Sequence, residues 1–417
     1  MSSLTLVGTH RAVSELLEAR PNSWGVVRFK GLFDRLDKRN QDLSYEMLSL
    51  RSTGDVVARA EMGGRQEPDE SSLPRYLVAE IDDLIVNPMW LIGGGIGISG
   101  RAGAVSPDYR VFRSRGALMP RFIHYLLRSQ PYLDQYLLYT RAQTTFDRRV
   151  QQPDLDNLPI PVPPLDEQRA IANYLDREIS QIDTLIEEQH RLTEMLHERR
   201  LAVVERGVAL LDWDTPFKTV STLIQTGPFG SQLKSDEYED GGIPVINPSH
   251  IVAGEVVPDR RIAVSAEKAE QLARHQLEEG DLIAARRGDL GRCAVVTRSA
   301  EGFLCGTGSA VVRLDQARLD PSFAALVFSS RRNRDALSLA SVGSTMDNLN
   351  SDIIGALRIP IPPLDEQRQL TAELKQATAK IDELIAETTR FIELARERRA
   401  SLITAAVTGQ IDVREAT

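Results

Sequence analysis

Ile160-Pro-Val-Pro-Pro-Leu-Asp-Glu-Gln-Arg169 returns, 199 residues further on, as Ile359-Pro-Ile-Pro-Pro-Leu-Asp-Glu-Gln-Arg368. At that offset 20 of the 41 positions from 160 to 200 are identical, which points to an internal duplication and approximate two-fold character. In each copy the prolines fix φ and remove backbone donors, so the lead-in is extended and a helix begins only once Pro164 or Pro363 is passed. Asp166 and Glu167, like Asp365 and Glu366, place negative charge in the first helical turn, where the helix dipole favours it. No proline or glycine follows until Gly207 in the first copy and Gly409 in the second. Each copy is expected to be one long helix.

The apolar positions say what such helices do. Leu175, Ile182, Leu185, Leu192, Leu196 and Val203 are read as one 3–4 spaced seam, and Leu374, Ile381, Leu384, Phe391, Ala395 and Leu402 as its counterpart. Gln189 and Thr388 fall at equivalent core positions and Arg199 and Arg398 near the ends, where polar residues fix register. Because each helix follows a whole domain, an antiparallel pair suits the two-fold character better than a parallel one. The alternative is that each helix packs on its own domain.

The expected organisation is thus a variable domain over 1–157, a helix over 158–210, a second variable domain over 211–356, and a second helix with its tail over 357–417. The fold class is α+β: two mixed domains separated by two long helices that form an antiparallel coiled coil. In the second domain, residues 242–247, 281–285 and 293–297 read as short strands between glycine turns, and 321–328 as a helix opened by proline. In the first, 83–86 and 109–112 read as strands, and 120–127 as the equivalent helix.

Length and composition agree. At 417 residues the chain exceeds the ~100–200 of one ordinary domain, and 42% hydrophobic with 26% charged residues excludes disorder as its main theme. No apolar run approaches the ~18–20 residues of a membrane span, and Met1–His10 lacks the basic start of a leader, so a cytoplasmic protein without membrane contact is expected. Cys293 and Cys305 have neither a disulfide framework nor zinc-site spacing and read as small buried residues.

Enzyme signatures are weak. Gly95-Ile-Gly-Ile-Ser-Gly100 has the glycine spacing of a dinucleotide loop but is not followed by an amphipathic helix, so it reads as a glycine-rich turn between strands. Asn87-Pro-Met-Trp90 resembles the Asn-Pro-Pro-aromatic loop of adenine methyltransferases, with Met89 replacing the second proline and no cofactor strand upstream. His190 and His197 lie two helical turns apart, too far to share a metal without other ligands. Charge is more informative. The chain has a net charge of −9, yet residues 101–150 carry +6 and 286–334 carry +5, nearly all arginine, whereas 166–200 and 365–399 are net negative. One arginine-rich region per domain suggests paired DNA-contacting faces.

These features together resemble the DNA-specificity subunit of type I restriction–modification systems. Pro-Pro-Leu-Asp-Glu-Gln and the closing Ala405-Ala-Val-Thr-Gly-Gln-Ile-Asp-Val413 are similar to that family's conserved regions. Gly227-Pro-Phe-Gly-Ser-Gln-Leu-Lys234, residues 242–247, Gly280-Asp-Leu-Ile-Ala-Ala-Arg-Arg-Gly288 and Gly306-Thr-Gly308 resemble one type of target-recognition domain, and Gly103-Ala-Val-Ser-Pro-Asp-Tyr109 another. The resemblance implies a non-catalytic reader of double-stranded DNA, in which each domain contacts one half of an asymmetric, split target and the helices act as a spacer. Helices of ~35 residues rise ~52 Å, enough to span a duplex turn of ~34–36 Å. It also implies two modification subunits that bind S-adenosylmethionine and methylate adenine, and ATP- and Mg-dependent restriction subunits. No cofactor is expected in this chain. Candidate DNA contacts are Arg101, Arg110, Arg141, Gln143, Arg148 and Arg149 in the first domain and Lys234, Arg286, Arg287 and Arg292 in the second. Two other readings are a coiled-coil scaffold without DNA readout and a standalone adenine-N6 methyltransferase.

Overall fold

The computed structural model describes residues 11–62, 69–140, 149–229, 232–341 and 349–413. The chain forms two compact units, Met1–Gln189 with Arg390–Thr417, and His190–Thr389. Their boundaries cut through two unbroken 44-residue helices, Leu165–Val208 and Leu364–Val407. Each unit therefore contains the start of one long helix and the end of the other.

Within each unit these halves run antiparallel. In the first, Arg399 Nε and Nη2 donate to the Asp183 carboxylate at 2.8 and 3.3 Å. In the second, Arg200 Nε donates to Asp382 at 2.6 Å. Each ion pair is the image of the other at the 199-residue offset. Half-exposed pairs of this kind contribute at most about 1 kcal/mol, so the register rests mainly on the seam. Leu175, Ile182, Leu196, Leu374 and Ile381 are buried in it, with Ile179, Val204, Thr378 and Ile392, and Leu402 is partly buried.

The middle of the seam differs from the sequence reading. Leu185, Leu192, Leu384 and Phe391 keep 44, 37, 37 and 43% of their surface open. The heptad passes instead through Ile186, Gln189 and Thr193, and through Ile385, Thr388 and Ile392. Following leucine from Ile182 to Leu185 leaves the seam by one residue, about 100° around a helix of 3.6 residues per turn. Thr388 is buried and its hydroxyl donates to the Leu384 carbonyl at 2.7 Å, whereas Arg199 and Arg398 are exposed.

Each unit is built on the same four-stranded antiparallel sheet. In the first its order is Phe33–Leu36, Arg110–Ser114, Leu84–Val86, Ile96–Ile98. In the second it is Ser221–Thr226, Ser309–Leu314, Leu282–Ala285, Cys293–Val295. Both place the first, fourth, second and third strands of the set side by side. Helices Pro120–Leu127 and Pro321–Phe328 follow the equivalent strand in each. The glycine-rich segment 95–100 contains the edge strand Ile96–Ile98 rather than a turn alone.

The long helices complete both cores. Ile171, Leu175 and Ile179 from one, with Ile403, Ala406 and Val407 from the other, join Phe29, Phe112 and Phe122 in the first unit. Val208 and Leu374 join Phe217, Phe323 and Phe328 in the second. Helix pairing and packing on a domain thus occur together, since a helix wide enough in its apolar face serves two neighbours.

The duplicated Asp-Glu-Gln has a structural explanation. Gln168 and Gln367 have no exposed surface. Gln168 Oε1 accepts from the Met119 amide at 2.7 Å, and its Nε2 donates to the carbonyls of Ala117 and Pro163 at 2.9 and 2.8 Å. Gln367 repeats this with the Asp320 amide at 2.8 Å and the carbonyls of Arg318 and Pro362 at 2.9 and 2.7 Å. One carboxamide therefore joins the proline lead-in, the long helix and the sheet-covering helix of its domain.

Among the described residues no helix is long and apolar enough to cross a membrane, and no cluster of three or more histidine, cysteine or acidic side chains forms a metal site. Cys293 and Cys305 are free and buried, and burial pushes both thiols up to about 12.

Two outcomes are expected. Gln367→Leu strands a buried amide N–H and two carbonyls, so unfolding free energy in urea falls by about 1–3 kcal/mol or more. His275 is buried, accepts from Arg274 Nε at 3.1 Å and sits 2.9 Å from Gln225 Nε2; burial, then the Arg274 charge, lowers its pKa to about 4. The folded state holds the neutral ring while the unfolded state takes a proton below about 6.5, so this contribution is intact above pH 6.5 and lost as pH falls towards 4. Melting temperature measured from pH 7 to 4.5 should fall less steeply for His275→Gln than for wild type.

Candidate nucleic-acid interface

In the second unit four loops meet at one end of the sheet: Gly227–Phe229, Asn247–Pro248, Arg286–Gly288 and Gly306–Gly308. Gly227 N donates to Ser309 O, Gly306 N to Ile246 O and Arg286 N to Gly308 O at 2.9 to 3.0 Å. Backbones approach so closely that a Cβ on Gly227 would lie 1.9 Å from the Gly306 carbonyl oxygen. Gly227, Gly306 and Gly308, three of the residues on which the sequence resemblance rests, bring the loops into one surface.

Arg286 and Arg287 differ there. Arg286 is buried, donates from Nε to the Leu349 carbonyl at 3.0 Å, and lies 5.3 Å from the centre of the Phe229 ring. Burial lowers its pKa. Arg286 thus braces the surface from within, whereas the sequence reading placed it among the DNA contacts. Arg287 is exposed and has no hydrogen-bond or ion-pair partner among the described residues. Arg292 donates to Asp289 at 3.2 Å and to the Pro248 carbonyl at 3.2 Å. Lys234 is exposed on a turn whose backbone amide donates to Glu237 at 2.6 Å.

The first unit builds the same end of the sheet from other residues. Arg110 is buried and donates from Nη2 to the Val150 carbonyl at 3.0 Å, with burial lowering its pKa; it too braces the surface from within. Arg101 pairs with Glu61 at 3.4 Å. Arg149 lies 3.2 Å from the Met89 sulfur and 3.5 Å from Asp108. Arg141, Gln143 and Arg148 lie outside the described residues.

The arginine excess is thus spent largely on structure. Arg113 clasps the buried Asp83 through Nε and Nη2 at 2.9 and 3.0 Å, and Arg313 clasps the buried Asp281 at 3.0 and 2.9 Å. Each aspartate also accepts from the amide three residues earlier, Glu80 or Glu278, at 2.8 Å. Arg115 pairs with Asp34, Arg121 with Asp176, Arg331 with Glu198 and Arg334 with Asp289. Sequence reasoning missed the paired Asp–Arg clasps, although the repeated Asp-Leu-Ile at 83–85 and 281–283 was their signal.

Two sheets of one topology, with the same clasp and the same glutamine joint, carry loops of different sequence. The type I restriction modification DNA specificity domain family matches residues 96–194 and 224–394, more than half of the chain. The chain belongs to this family. It is 24% identical over 323 residues to the EcoKI specificity subunit of Escherichia coli K12, covering 72% of this chain and 68% of that one. It is 20% identical over 307 residues to the MjaVIII specificity subunit of Methanocaldococcus jannaschii, covering 68% and 69%. The fold matches a chain from a solved type I restriction–modification assembly with a TM-score of 0.61, 18% identity, and coverage of 94% of this chain and 99% of that one.

For this specificity-family chain the two neighbouring arginines should separate in experiment. Arg287→Ala is expected to leave the melting temperature within about 2 °C of wild type, as surface changes do, and to weaken binding of cognate duplex about ten-fold or more. Arg286→Ala is expected to lower the melting temperature, measured by scanning calorimetry on the full chain, because it strands the Leu349 carbonyl.

Proposed function

We propose that this chain is the non-catalytic DNA reader of a type I restriction–modification complex, each unit contacting one half of a bipartite, asymmetric duplex target. The observation that supports this reading most strongly is the repeated sheet, with equivalent loops of different chemistry at one end. One architecture with two loop sets suits two different half-sites, because base identity is read by side chains in the grooves while the backbone is held by the shared frame. Arg287, Lys234, Arg292, Arg101 and Arg149 are the described side chains of the proposed contact set that stand at the surface.

The long helices fit partner docking. Leu185 and Leu384, Leu192 and Phe391, and Met195 and Leu394 are all exposed and are related by the 199-residue offset. Equivalent apolar stripes suit two copies of one partner, here the modification subunits. Those subunits would bind S-adenosylmethionine and methylate adenine, and restriction subunits would bring ATP and Mg2+. Chemistry would then belong to the partners.

Co-expression with the neighbouring modification subunit in a methylation-free host, followed by sequencing for N6-methyladenine, is expected to return one split motif modified on both strands. An assembled complex that leaves no motif would overturn the reader assignment. Leu185→Asp with Leu384→Asp should abolish co-purification of the modification subunit without lowering the chain's own melting temperature.

A further inference from the structure

Asn87-Pro-Met-Trp90 belongs to none of the framework above, yet it occupies a telling place. Val150 N donates to the Pro88 carbonyl at 3.0 Å, just as Leu349 N donates to the Arg286 carbonyl at 2.8 Å. Pro88 is therefore the counterpart of Arg286, and Met89 that of the exposed Arg287. Where the second domain presents the Arg287 guanidinium, the first presents the Met89 thioether between the Asn87 amide and the Trp90 indole, with the Arg149 guanidinium 3.2 Å from the Met89 sulfur.

The loop is rigid. Asn87 N donates to Gly95 O at 2.7 Å, Gly95 N to Trp90 O at 2.9 Å, and Met89 N to Asn87 Oδ1 at 3.1 Å. The indole packs against Gly93, where a Cβ would lie 2.5 Å from Nε1, and half of Trp90 remains exposed. Asn87, Met89 and Trp90, with Leu50, Arg51 and Tyr109, line an open cleft of about 650 Å3. The Asn87 amide nitrogen has no partner among the described residues.

We infer that this loop is the base-reading element of the first domain and that it reads an adenine–thymine pair, an inference that rests on the proposed DNA-reading role. An asparagine amide offers the donor and acceptor that match adenine N7 and N6, and apolar side chains receive the thymine methyl group. The guanidinium that suits guanine stands at the equivalent position of the other domain. A half-exposed tryptophan in a cleft also offers an aromatic face of the kind on which unpaired bases stack.

The test is methylation mapping of the full complex carrying Asn87→Ala or Trp90→Ala, with melting temperature measured alongside. The expected result is a motif degenerate at a single A·T pair of one half-site, discrimination there falling about ten-fold or more, with the other half-site and the spacer unchanged. A variant that lowers the melting temperature is replaced by Met89→Ala at the rim, which is expected to give the same degeneracy. An unchanged motif in all stably folded variants overturns the inference, as does degeneracy confined to a G·C pair, which would point to the neighbouring guanidinium groups of Arg51 and Arg149. A wild-type complex with no motif would instead overturn the DNA-reading role itself, and this inference with it.

Discussion

Gln168 and Gln367 hold the molecule's plan together. A carboxamide has a donor and an acceptor side, and buried in an apolar surround it must satisfy both. Each glutamine does so by tying three separate backbone stretches to one point: the proline lead-in, the first turn of the long helix, and the loop that opens the sheet-covering helix. The direction in which each helix leaves its domain is fixed by that joint. Heptad packing then carries the direction and the register along the helix, and the symmetry-related Asp183–Arg399 and Asp382–Arg200 pairs mark the same register in both units.

Much of this was legible before any coordinates. The decapeptide repeat, the acidic first turns and the absence of helix breakers specify long helices because they are local rules acting over 40 residues. The strands at 84–86, 282–285 and 293–295 were legible for the same reason, as short β-branched runs between turns. The edge strands Phe33–Leu36 and Ser221–Thr226 were not, since polar residues fall on both faces of each and neither shows a clear period. The seam was misread at Leu185 and Leu192 because side-chain identity was favoured over spacing, and a coiled coil tolerates a threonine at a core position more readily than a shift in phase.

The proposed reading surfaces were the least legible part. A basic window in sequence counts charges without their partners, and most of the arginines counted here have partners. Arg110, Arg113, Arg286 and Arg313 are needed because a short sheet with few large side chains must anchor its buried aspartates and its returning loops. What distinguishes Arg287 is its exposure and lack of a partner, and neither is a property of composition. The same limit hid the Asn87–Trp90 loop, where Trp90 depends on Gly93 beside it and Met89 is recognised as the counterpart of Arg287 only through the matching backbone hydrogen bonds.

The sharing of the two long helices also bears on how the chain is made. The second unit is continuous in sequence, from His190 to Thr389, and holds all of its parts once that stretch has left the ribosome. The core of the first unit includes Ile403, Ala406, Val407 and Val413, which are synthesised nearly 300 residues after Ser114, the end of the last strand of the sheet they cover. Domains usually fold in order of synthesis. Here the domain that is translated first has its apolar floor supplied last, and during most of translation that uncovered surface is what a nascent-chain chaperone would meet.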